Sequence, residues 1–199
     1  MEIAWIDRLA DGATLPDKER QRLEDLICRR RTFEAGQVVV FENEGAPLLY
    51  IIERGWAAAV RELVDGSTQL LDLFLPPQVM GLREIASSAA VSSYQALTEL
   101  DVAVCRKADM QALIDDSSTL AAPLFRLVAR EEAWLHERIT LLGQQDAASS
   151  LLHLFLELSD RLAVGTDAPT ISEFDLPLSQ EQIGNLVGIT SVHVSRTLT

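Results

Sequence analysis

Residues 178–199 read Leu178-Ser-Gln-Glu-Gln-Ile-Gly-Asn-Leu-Val-Gly-Ile-Thr-Ser-Val-His-Val-Ser-Arg196-Thr-Leu-Thr199. Ser179 followed three positions later by Gln182 is a capping box, which satisfies two orphan amides at a helix start. Ile183 and Val187 then share one helical face. Gly188 stops that helix, since glycine takes the left-handed conformation a sharp turn needs. Ile189 pins the turn from inside, and Thr190 caps a second helix whose Val194 and Leu198 face inward. Gly184 falls where the two helices cross, and lacking a side chain it lets them approach. Two short helices joined this way form a helix-turn-helix, whose second helix enters the DNA major groove with its N-terminal part against base edges. The outward positions are Ser191, Val192, His193, Ser195 and Arg196. Arg196 suits guanine or phosphate, and the serines and His193 suit base edges or the backbone. Val192 suits a thymine methyl. With Ser179 and Thr190 at the helix starts, these seven residues are the candidate DNA contacts.

Working back from this motif, the longest helical signal runs from Leu120 to Leu142. It carries two neighbouring apolar stripes. One is Ala121, Phe125, Val128, Glu132, Leu135, Ile139 and Leu142; the other is Leu120, Leu124, Leu127, Glu131 and Trp134. Two stripes exceed the needs of one partner surface. One is therefore expected to cover the chain's own core and the other, at the coiled-coil spacing, to pair with a second copy. The seam predicted for that dimer is Phe125, Val128, Glu132, Leu135, Ile139 and Leu142. A further helix follows from Ala147 to about Val164, ended by Gly165 to Pro169, and Ile171 to Leu176 suits a short strand.

From Thr32 to Arg106 the texture is different. Gly36, Gly45, Gly55, Gly66 and Gly81 punctuate short β-prone runs: Val38–Phe41, Leu48–Ile52, Trp56–Val60, Leu70–Leu75, Ser93–Leu97 and Val102–Arg106. Short strands at such spacing indicate a roll, sandwich or barrel. Asp65-Gly66 is a tight-turn signal. Gly81 to Ala90 suits a helical turn plus a loop, and Ala108 to Asp115 a short helix. Upstream, Trp5, Ile6 and Leu9 share a helical face, and a second helix is expected from Lys18 to Arg30 with Asp17 as its cap. The chain thus divides into a sensor unit over 1–116, a long dimerisation helix over 117–144 and a DNA-binding unit over 145–199.

Composition narrows the function. The chain has 199 residues, 48% of them hydrophobic, and a formal net charge of −13. That charge excludes a general polyanion binder, because phosphate neutralisation requires Lys and Arg. It leaves room for a local DNA contact on an acidic body. The two cysteines, Cys28 and Cys105, form no CxxC pair and cannot build a zinc ribbon or a four-thiolate cluster. No apolar run approaches the roughly 20 residues that span a bilayer, and the first residues lack the apolar segment of a signal peptide, so a cytoplasmic location without membrane partners is expected. No GxSxG, HExxH or phosphate loop occurs. Adjacent acids such as Asp115-Asp116 do not converge on a helix. No enzyme is indicated.

IGNLVGITSVHVSRTL resembles the recognition segment of the Crp/Fnr family, the regulators related to the cyclic-AMP receptor protein and the fumarate-nitrate regulator, and its SVHVSRTL form looks most like alphaproteobacterial members. The resemblance covers the whole chain in order: glycine-punctuated β-roll, long helix, helix-turn-helix. It implies an α+β fold, with a cyclic-nucleotide-binding-like β-roll, a long dimerisation helix and a winged helix-turn-helix. It also implies a homodimer on palindromic double-stranded promoter DNA, with RNA polymerase as a further partner, usually for activation. Nucleotide-binding members carry Gly-Glu at the start of a cassette helix and later an Arg before Ser or Thr. Here the effector-pocket positions are Gly81, Leu82, Arg83, Glu84, Ser92 and Ser93. The Arg is missing, which would leave a buried phosphate unpaired, so cyclic AMP is not expected. The four-cysteine iron–sulfur sensor of some relatives is not expected either. Three readings of the signal stand: no ligand or an unidentified one, redox control at Cys28 or Cys105 (Arg29, Arg30 and Arg31 favour a thiolate at Cys28), or haem held by His136 or His153. Family members continue past the position of Thr199 into a β-hairpin wing. A truncated form is therefore expected, with weaker DNA binding than a complete one, since the only cation between Ile171 and Thr199 is Arg196.

Overall fold

Strand β3 (Leu48–Arg54) points Leu49 and Ile51 to one side and Tyr50 and Ile52 to the other, the period-two alternation of extended chain. Both sides are apolar, so both must be covered. The computed structural model describes residues 4–10, 14–85, 87–144, 146–163 and 171–199. Its strands are β1 (Ile27–Phe33), β2 (Val38–Val40), β3, β4 (Ala57–Glu62), β5 (Thr68–Phe74), β6 (Val79–Met80), β7 (Ser93–Ala96) and β8 (Leu100–Arg106). They form two antiparallel sheets in the orders β1-β8-β3-β6 and β2-β7-β4-β5. Helices α1 (Ala4–Ala10), α2 (Asp17–Glu24), α3 (Lys107–Asp116), α4 (Ala121–Gln144), α5 (Ala147–Ala163), α6 (Gln180–Val187) and α7 (Ser191–Thr197) complete the fold.

Three apolar layers follow from the alternation. Between the sheets lie Phe33, Tyr50, Ile52, Phe74, Tyr94, Val102 and Val104. Outside the first sheet, Leu49, Ile51, Ala103 and Cys105 pack against α1, α3 and the start of α4. Outside the second, Trp56, Ala58, Val60, Leu70, Leu73 and Leu75 share one cluster with Leu151, Leu154 and Leu158 of α5, Ile183, Leu186 and Val187 of α6 and Val194 of α7. The helix-turn-helix therefore shares its core with the β-roll. A bulge at Leu71 of β5, opposite Ala59 and Val60 of β4, shifts the β4–β5 register. Leu70 and Leu73 both face this outer layer, with Asp72 buried beside them.

The second helix differs from expectation: it ends at Glu24, and Cys28 and Arg29 to Arg31 lie on edge strand β1. Pairing of β1 with β8 outweighs the helical spacing of Leu23, Leu26 and Ile27, as tertiary contacts override local propensity. Asp17 is the first helical residue, and Pro16, at the cap position, supplies no side-chain bond. Ile171 to Leu176 carries no strand. The expected helix stop at Gly165 to Pro169 lies outside the described residues, with α5 described to Ala163. β6, two residues long, is below the reach of pattern reading.

Arg8 on α1 is 4% exposed, lies over the Trp134 ring, and its three guanidinium nitrogens have no hydrogen-bond partner among the described residues. Burial and the nearby Arg161 lower its pKa to about 10. Its charged form is thus disfavoured by folding at every pH below that value. Arg8→Met is expected to raise stability by about 1–3 kcal/mol, read as a rise in melting temperature; a fall would show that this guanidinium is paired in solution.

Candidate nucleic-acid interface and effector pocket

The helix-turn-helix is built by the local chemistry its sequence carries. Ser179 Oγ accepts from the Gln182 amide at 3.1 Å and the Ser179 amide donates to Gln182 Oε1 at 2.8 Å, so the capping box is closed. Gly188 takes φ 72° and ends α6. The Ile189 amide donates back to the Gly184 carbonyl at 3.0 Å. A Cβ on Gly184 would lie 2.4 Å from the Ile189 carbonyl oxygen, so glycine is required at this crossing. Thr190 Oγ1 caps α7 by accepting from the His193 amide at 3.2 Å. Ser179 and Thr190 use a lone pair in these bonds, and each keeps its O–H free to donate to phosphate.

Val194 is fully buried, while Ser191, Val192, His193 and Arg196 are exposed and Ser195 is half-buried. Arg196 has no ion-pair partner among the described residues. These side chains form one open surface on α7. Leu198, expected to face inward, is 50% exposed. It follows the last residue of α7, where the helical face no longer dictates direction.

On α4 the two stripes part as expected. Leu120, Leu124, Leu127 and Glu131 are buried and Trp134 is half-buried. Phe125 is 76% and Ile139 65% exposed, Val128, Glu132 and Leu142 are also exposed, and Leu135 is half-buried. Phe125 and Val128 also line an apolar groove of about 300 Å³ with Leu82, Ile85, Ile114 and Leu124. At the far end of α4, the Leu142 side chain reaches the turn at Gly188.

The effector-pocket positions have partners inside the protein. Gly81 turns the chain at φ 90°, and Leu82 is buried in the helix-facing layer. Glu84 is buried, and both its carboxylate oxygens accept from the Tyr94 hydroxyl, at 2.7 and 2.8 Å. Burial, then this bond to Glu84, pushes the Tyr94 phenol well above its usual range. Ser92 is buried, and Ser93 Oγ accepts from the Glu42 amide at 2.9 Å. Arg83 donates to Asp72 at 2.6 Å and lies 3.6 Å from Glu131. Of the two thiols, Cys105 is buried and pushed up to about 12 by that burial, while Cys28 is exposed and faces the Val104 carbonyl at 3.1 Å. His136 and His153 lie on exposed faces of α4 and α5. Among the described residues, no group of three or more His, Cys, Asp or Glu could hold a metal ion, and no helix is long and apolar enough to cross a membrane.

Sequence reading passed over a buried, highly connected charged group. The Asp72 carboxylate receives Arg83 at 2.6 Å and Arg138 at 3.1 Å, with Arg161 at 3.5 Å. Arg138 and Arg161 both donate to Glu157, at 2.7 and 2.6 Å. Burial alone would raise the Asp72 pKa, but Arg161, Arg138 and Arg83 outweigh it and hold the carboxyl well below the usual range. A lowered folded-state pKa gives stability that is full above the unfolded value, about 3.9, and is lost as pH falls through the folded value. Asp72→Asn is therefore expected to flatten the acid limb of the melting-temperature profile below about pH 4; an unchanged limb would remove Asp72 from the acid response.

Residues 30–117 match the family profile of the cyclic nucleotide-binding domain, and residues 147–199 that of the Crp-like helix-turn-helix domain. The chain is 29% identical over 182 residues to the transcriptional regulatory protein btr of Bordetella pertussis, covering 92% of this chain and 74% of that protein. It is 26% identical over 193 residues to the fumarate and nitrate reduction regulatory protein of Escherichia coli K12, covering 97% and 76%. The structure of FixK2 from Bradyrhizobium japonicum superposes with a TM-score of 0.74 at 23% identity, over 85% of this chain and 82% of that one. The c-di-GMP responsive global regulator CLP of Xanthomonas campestris gives 0.68 at 16%, over 92% and 90%. Both superpositions speak to the fold.

Proposed function

The chain belongs to the Crp/Fnr family of transcription regulators, and from that premise we propose that it binds a palindromic duplex as a homodimer, without cyclic AMP as effector. The observation that carries this reading is the pair of exposed surfaces on one chain: an apolar stripe along α4 and an open α7 bearing Ser191, Val192, His193 and Arg196. Pairing along α4 from Phe125 to Ile139 brings two recognition helices to opposite sides of one axis. Adjacent major-groove faces lie about 34 Å apart, one turn of DNA, and the pairing of α4 sets that separation. Ser179 and Thr190 donate to phosphates and fix register, while Arg196 and the outward side chains read bases.

The case against cyclic AMP rests on Arg83 and Glu84. The one guanidinium among the effector-pocket positions, Arg83, is bound to Asp72, and the one carboxylate among them, Glu84, is closed on Tyr94. A nucleotide phosphate there would require breaking a buried ion pair, which costs several kcal/mol. Redox control, by contrast, has one exposed thiol, Cys28, on an edge strand remote in sequence from α7.

The test uses the full-length protein and a labelled duplex recovered from a random pool. Arg196→Ala is expected to weaken binding by about 1–3 kcal/mol and to relax preference at one base pair of each half-site. Equal loss on every sequence would make Arg196 a phosphate contact. No loss would remove α7 as the reading helix. Cyclic AMP is expected to change neither the affinity nor the melting temperature.

A further inference from the structure

The charged group around Asp72 is made by four separate elements. Asp72 is on β5, Arg83 on the turn after β6, Arg138 and Glu131 on α4, and Arg161 and Glu157 on α5. Arg161 also donates to the Leu73 carbonyl and to Gln78 Oε1, so α5 is bonded to β5 just past the carboxylate and to the loop that follows the strand. Arg138 adds a bond to the Leu71 carbonyl at 3.2 Å. α5 carries the helix-turn-helix, through its shared layer with α6 and α7. Among the described residues, Arg83 pairs with Asp72 and Glu131 and with no residue of α5.

We infer that Asp72 is a positioning residue for the DNA-binding unit: it joins the effector-pocket turn to α5 and holds α5–α7 in the posture that presents α7 to DNA. This rests on the DNA-binding reading above. A buried carboxylate shared by three guanidiniums is directional, because the acceptor is shielded from water and each planar donor meets it from a fixed direction. Loss of one donor shifts the carboxylate toward the remaining two. A change at Arg83 is thereby felt at Arg161 without a direct ion pair between Arg83 and α5. The α7 surface is exposed while these bonds are intact, so they hold an available recognition helix and do not mask one.

The experiment is a mutational cycle in the full-length protein, read by hydrogen exchange over residues 147–199 and by affinity for a duplex selected from a random pool. Arg83→Met is expected to speed exchange in α5–α7, and to lower duplex affinity roughly 5- to 150-fold, the usual range for coupled sites. Sedimentation is expected to show the same oligomer. In an Asp72→Asn background, Arg83→Met adds nothing further, because the junction is already gone. Glu157→Gln, which loosens α5 without altering Asp72, moves exchange and affinity in the same direction and serves if Asp72→Asn does not fold. Parent-like exchange and affinity in Arg83→Met and Glu157→Gln overturn the inference, as does an undiminished Arg83 effect in the Asp72→Asn background. Increased affinity overturns it too, since the bonds would then hold a blocked posture. If the unaltered protein selects no duplex, the DNA-binding reading fails by itself, while exchange over α5–α7 still reports on the junction.

Discussion

Replacing Phe125 and Ile139 together by aspartate is expected to turn the protein into a monomer and abolish duplex binding. Both side chains are largely exposed in the protomer, so neither substitution opens a cavity in its core. In the proposed dimer each faces the partner helix, and each aspartate appears twice along one seam. Truncating a central apolar anchor typically costs about 2–4 kcal/mol, and an unpaired carboxylate there costs more. Two such sites raise the dimer dissociation constant by at least roughly a thousandfold, at 1.4 kcal/mol per tenfold. Sedimentation velocity reads the mass, and a melting curve near that of the parent shows that the fold is retained. A stable dimer in this variant means that the seam lies elsewhere.

Gly184→Ala is expected to have the second largest effect. The added Cβ would lie 2.4 Å from the backbone carbonyl oxygen of Ile189. A backbone atom cannot rotate away as a side-chain tip can, so the α6–α7 crossing must open. Overpacking of this kind costs about 1–3 kcal/mol. Its functional cost is larger, because the recognition helix is displaced from the geometry the groove demands. Duplex binding is expected to be lost, while amide protection within β3, β4 and β8 stays at parent level. Parent affinity in Gly184→Ala would show that the turn is looser than its geometry indicates.

The helix-turn-helix and the two stripes of α4 were legible in the sequence for different reasons. The helix-turn-helix is specified locally: Ser179 with Gln182, Gly188 and Thr190 each satisfy a constraint within a few residues, so reading them in order gave the motif. The stripes on α4 are a periodicity, and burial divides them as that periodicity predicts. β1 was misread because Leu23, Leu26 and Ile27 have helical spacing and the force that overrides it is pairing with β8, some 70 residues away. The charged junction was missed for the same reason in stronger form. Arg138 and Arg161 bond β5 across separations of 66 to 88 residues. Its one local sign was Asp72, alone within Leu70-Leu71-Asp72-Leu73-Phe74-Leu75. A lone acid in a buried apolar strand needs a cation from elsewhere, but the sequence does not say which. Arg83 illustrates the converse: it stands among the effector-pocket positions in the sequence and is bonded instead to that same acid.

The most direct measurement of the central claim is selection of duplexes from a random pool by the full-length protein, with the bound stoichiometry determined on the enriched sequences. The expected result is an inverted repeat whose half-site centres are about 10 base pairs, one helical turn, apart, bound by two chains per duplex. Enrichment of single half-sites bound by one chain, or no enrichment at all, would contradict a dimer that reads DNA through paired α7 helices.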